Sequence, residues 1–193
     1  MAKGKDLQPE EIDRLLQDLG GELSASGCTS VRVMMVGGAY MLLTLGNRAT
    51  TQDIDVFPLN FASSAHPDQQ TKAILKAIAS VAQRNRLKRD WFNDAAFGII
   101  GELQPPEQQL TLWRIYGALE IYLPPPEFIL AVKIFGYRDR DYNDVMALLA
   151  QLNVQSRARA QQILDSYIER KTQEEYRTHI TLDDFFEGEA EGR

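Results

Sequence analysis

Apolar residues return at helical spacing from Pro9 onward: Ile12, Leu15, Leu16 and Leu19 line one side, and Glu10 and Glu11 occupy a first turn where the helix dipole favours negative charge. This predicts an amphipathic helix ending near Gly20. The pattern then changes. Residues 31–36 form a short apolar run rich in β-branched side chains, closed by Gly37 and Gly38, which predicts a buried strand and a glycine turn. Residues 39–45 read as a short helix and residues 53–57 as a second strand stopped by Pro58. Ile74, Leu75, Ile78 and Val81 place one face of a helix over residues 70–83. Residues 91–100 mix strand formers with Asn93 and Asp94, so an irregular segment or a short helix is expected there. Two strands, 109–116 and 119–123, turn around Gly117, and Pro124 to Pro126 lead rigidly into an apolar helix. Amphipathic helices are expected over 141–152 and 158–167.

This order predicts an α/β protein: a mixed sheet with packed helices, its core spanning about residues 31–123, followed by a helical part over about 124–170. A single domain over residues 1–180 fits the 193-residue length. The last eleven residues hold five acids and one arginine, and residues 181–193 are expected to be a solvated, disordered acidic tail.

Charge and cysteine content narrow the function. Twenty-seven acidic against 21 basic side chains give a net charge of -6, so a long polyanion would need a local basic patch to bind. Cys28 is the only cysteine, which excludes an internal disulfide framework and a cysteine-cluster zinc site and suits a reducing cytoplasm. The acidic start does not read as a signal peptide, and no apolar run is long enough to span a bilayer; a cytoplasmic protein without a membrane partner is expected.

The chemistry centres on Asp53-Ile54-Asp55. Alternate strand residues point the same way, so the two carboxylates share one face while Ile54 and Val56 enter the other. Unpaired, they would repel each other, and a divalent cation would remove that cost. Mg²⁺ (or Mn²⁺) suits them, being commonly held by one or two carboxylates plus substrate phosphates. Gly37 and Gly38, lacking Cβ atoms, let backbone N–H groups approach phosphate oxygens at a helix start.

Gly37-Gly38 with Arg48, Thr51 and Asp53-Ile54-Asp55 resembles the glycine, arginine and Asp-x-Asp signature of the nucleotidyltransferase superfamily, and is most similar to small prokaryotic members related to abortive-infection type IV toxins. Where many members carry a serine after the first glycine, this chain has Gly38 and then Ala39. The resemblance implies a nucleotidyltransferase-like fold in which the glycine turn, Arg48 and Thr51 bind a nucleoside triphosphate and Asp53 and Asp55 hold the metal and act in catalysis. It continues at Lys133 and at the run Arg138 to Asp144. There it implies phosphate pairing by Lys133 and a third acid or base at Asp141 or Asp144, with Asp94 a further candidate.

The expected reaction moves a nucleoside monophosphate to an RNA end, a protein or a small molecule. The alternative is an inactive relative acting as a nucleotide-binding or toxin–antitoxin component with a cognate partner. Simpler readings apply to the outlying residues. Lys133 can snorkel from its helix, and Arg138, Arg140, Asp141 and Asp144 can form intrahelical ion pairs. Arg84, Arg86, Lys88 and Arg89 are the densest basic cluster, and a solvated helix end accounts for them more economically than a nucleic-acid backbone.

Overall fold

The computed structural model describes residues 5–101, 103 and 105–186. It divides into two compact units. The first runs through Phe97 and resumes over Leu110–Pro124; the second comprises Gly98–Gln109 and the described chain from Pro125 onward.

The first unit is α/β. Its five-stranded mixed sheet has the order β3-β2-β1-β5-β4, built from β1 (Val31–Met35), β2 (Ile54–Pro58), β3 (Phe92–Asn93), β4 (Thr111–Tyr116) and β5 (Leu119–Leu123). β1 pairs antiparallel with β2 and parallel with β5, β2 pairs parallel with β3, and β4 pairs antiparallel with β5. Helix α1 (Pro9–Ala25) buries Ile12, Leu15, Leu16, Leu19 and Leu23. It passes Gly20, where the sequence predicted its end, because Leu23 continues the same buried face one turn on. Helix α3 (Gln69–Asn85) buries Ile74, Ile78 and Val81, as their spacing predicted, and the Asp68 carboxylate caps it by accepting from the Thr71 N–H at 2.7 Å.

Between β1 and β2 lies α2 (Gly37–Tyr40), which begins at the glycines rather than after them and runs directly into a π-helical turn, Met41–Leu45. The segment left open by the sequence holds the short strand β3 and α4 (Phe97–Ile100). Trp91 is fully buried, and its indole N–H donates to the Ile78 carbonyl at 3.2 Å.

The second unit is helical: α5 (Pro126–Phe135), α6 (Tyr142–Gln151), α7 (Arg157–Asp165), α8 (Arg170–Glu175) and α9 (Thr178–Phe186). Phe128 meets the Tyr167 ring edge-on at 5.3 Å, and Leu148, Leu164 and Leu182 are completely buried. Helix α9 corrects the expected tail. Residues 181–186 are helical because Leu182 anchors them in the core, while residues 187–193 lie outside the described residues. No helix among the described residues is long and apolar enough to cross a membrane.

Candidate functional site

Antiparallel pairing sets the end of β1 beside the start of β2. Met35 is in register with Val56, and the Val36 N–H donates to the Asp55 carbonyl at 2.9 Å, so the next residue, Gly37, falls level with Asp55. Gly37 has φ +65°, in the left-handed region, and a Cβ there would overlap an Asp55 carboxylate oxygen. A Cβ on Gly38 would lie 2.7 Å from the Thr51 hydroxyl and 3.5 Å from an Arg48 guanidinium nitrogen. The bare backbone of the turn is therefore packed against the three side chains Asp55, Thr51 and Arg48.

Asp53 and Asp55 share one side of the chain. Burial alternates from Asp53 to Pro58: Ile54, Val56 and Pro58 are buried, while Asp53, Asp55 and Phe57 are half-exposed. Phe57 on that side stacks on Phe97 at 5.2 Å. Thr51 holds the approach to the strand. Its backbone exchanges two hydrogen bonds with Leu7, at 2.7 and 3.0 Å, and its hydroxyl donates to the Asp53 carbonyl at 3.0 Å. Leu7 escaped the sequence reading because it is a lone apolar residue before a helix, with no periodic neighbours. Its complete burial shows that it clips the chain to the Thr51 segment.

Asp53 and Asp55 bring two carboxylates, oxygen donors of the kind that hard divalent cations take. Among the described residues there is no group of three or more histidine, cysteine, aspartate or glutamate side chains that could hold a metal. A two-carboxylate edge suits an ion that keeps waters and takes its remaining oxygens from a phosphate-bearing ligand, which is the habit of Mg²⁺.

The downstream residues belong to the second unit and are committed to one another. Lys133, in the last turn of α5, places its ammonium 2.5 Å from Asp141 and 2.8 Å from Asp144; the three side chains are 10, 10 and 1% exposed. A buried cation between two carboxylates is held by charge-assisted hydrogen bonds, and losing it would leave like charges facing each other in a poorly solvated place. Lys133 therefore does not snorkel to water. Asp141 and Asp144 both turn toward Lys133 on the preceding helix, a pairing between helices that the intrahelical reading did not include. Asp94, the remaining candidate third acid, accepts from the Ser64 N–H at 2.7 Å and from the Ser64 hydroxyl, which ties it to the loop before α3.

Fold and site thus define an α/β protein with a paired-carboxylate strand facing a glycine turn. No family model matches the chain, and no curated protein or solved structure matches it.

Proposed function

We propose that this protein is a metal-dependent nucleotidyltransferase that moves a nucleoside monophosphate from a nucleoside triphosphate to an acceptor, releasing pyrophosphate. The observation that carries the proposal is the contact of Gly37 with Asp55 and of Gly38 with Thr51 and Arg48. It gathers into one place, in the first unit, the residues whose pattern resembles the nucleotidyltransferase signature.

Gly37 and Gly38, with no side chains of their own, offer backbone N–H groups to the triphosphate. Arg48 supplies a guanidinium whose planar donors match phosphate oxygens. Thr51 is a positioning residue, fixing the backbone at Asp53. Asp53 and Asp55 would hold Mg²⁺ or Mn²⁺, which when bound neutralises charge on the phosphates and favours in-line attack at the α-phosphorus. The resemblance offers Lys133 to a phosphate and Asp141 or Asp144 to the acceptor proton. The two ion pairs of Lys133 favour a structural task for that cluster instead.

The test is incubation with each nucleoside triphosphate labelled at the α-phosphate, with Mg²⁺ or Mn²⁺ and total cell RNA and protein. Wild type should transfer label; Asp53→Ala and Asp55→Asn should reduce transfer by roughly 100-fold or more, the scale of losing an electrostatic element of a transition state. Equal labelling by wild type and Asp53→Ala would reject the reaction. A thermal shift with Mg²⁺ and nucleotide but no transfer would favour the inactive, nucleotide-binding alternative.

A further inference from the structure

Charge is unevenly distributed along the first unit. From Gln69 to Arg89 the chain carries six basic residues and no acidic one, although the whole protein is net acidic at -6. The outward side of α3 holds Lys72, Lys76 and Gln83 within about 40° of one another around the helix axis, opposite the buried Ile74, Ile78 and Val81. Beyond the helix end, Arg86, Lys88 and Arg89 are also exposed. Arg84 reaches Glu22 at 2.5 Å, the one close ion pair of this run among the described residues; Lys76 also feels the charge of Glu22, Lys72 that of the helix cap Asp68, and Asp90 follows the run. Lys76 and Arg89 flank an open depression of about 700 Å³, which Ser80 and Gln83 also line.

From this we infer that the outer face of α3 and the segment after it bind the phosphate backbone of single-stranded RNA. The line from Lys72 to Arg86 extends roughly 20 Å, long enough to follow several successive phosphates along one strand. Ala79, Ala82 and Leu87 also line the depression, but the charged side chains that flank it, Lys76 and Arg89, are exposed cations, the complement of a chain of phosphates. The exposed amide of Gln83 between the cations is suited to the 2′-hydroxyls that distinguish RNA from DNA, whereas the Ser80 hydroxyl accepts from Arg84. The surface stands on charge and placement alone. Naming RNA as the acceptor, with a terminal hydroxyl attacking the α-phosphorus and pyrophosphate leaving, rests on the proposed transfer reaction.

Fluorescence anisotropy of the full chain with a short, unstructured labelled RNA, titrated over a range of salt concentrations, tests it. Wild type should bind with a salt dependence, and the triple variant Lys76→Glu, Lys88→Glu, Arg89→Glu should weaken binding about tenfold or more and flatten the salt slope by roughly 2. The variant's circular dichroism should match wild type, since all three side chains are exposed. Should the triple variant fail to fold, Lys72→Gln with Lys76→Gln serves in its place. Absence of RNA binding, salt-independent binding, undiminished binding by a folded variant, or equal binding of the same DNA sequence or of polyglutamate would overturn the inference. Asp55→Asn should bind RNA as wild type does. RNA binding without nucleotide transfer would sink the proposed reaction and leave this surface standing, whereas transfer to a different acceptor without RNA binding would do the reverse.

Discussion

A side chain at position 37 would meet two obstacles: a left-handed backbone and the Asp55 carboxylate. Gly46 supplies the control, because its φ is +64° but open space surrounds the missing Cβ. Gly46→Ala should cost only the backbone strain, about 1–3 kcal/mol by thermal melting, while Gly37→Ala should cost more and also abolish the proposed transfer by displacing Asp55. Equal losses at both positions would show that the contact with Asp55 is unimportant. Lys133→Met tests the second unit, where removing the cation leaves Asp141 and Asp144 facing each other; a loss of about 3–5 kcal/mol in denaturant unfolding is expected. At this scale the alternation of Asp53 and Asp55 was legible, since a period of two follows from strand geometry alone. The reach of Lys133 to residues eight and eleven positions away was not, because it depends on where the chain turns between α5 and α6.

Among elements, the link between α1 and β4 has a pH signature. The Tyr116 hydroxyl donates to Asp13, and burial, followed by that carboxylate, pushes the phenol above its ordinary value. A group raised in the folded state contributes fully below its unfolded pKa, about 10, and loses that contribution as pH rises further. Wild type should therefore hold its stability advantage over Tyr116→Phe unchanged from neutral pH to about pH 10 and begin to lose it only above that, measured by urea unfolding; a difference that stays constant above about pH 10, or shrinks below it, would refute this. Burial periodicity made most elements legible, including α3 and β1. The π-helical turn after α2 was not, since Met41–Leu45 is as apolar as an ordinary helix of that length. Helix α9 was hidden by the acids around it, with Leu182 the sole strongly buried apolar residue to reveal it.

For the whole molecule, the grouping of strands before helices was readable because periodicity shifts from two toward 3.6 near Pro124. The interruption at Gly98–Gln109 was not, since so short a stretch carries too few residues for either period to emerge. That interruption has a consequence during synthesis. The ribosome releases Ile99, Ile100 and Leu103 before any of the helices from α5 onward, yet Ile99 is to lie against Gly136, and Ile100 and Leu103 are to be shielded from water. Until α5 has emerged, those greasy side chains wait on the nascent chain without the helices that will cover them.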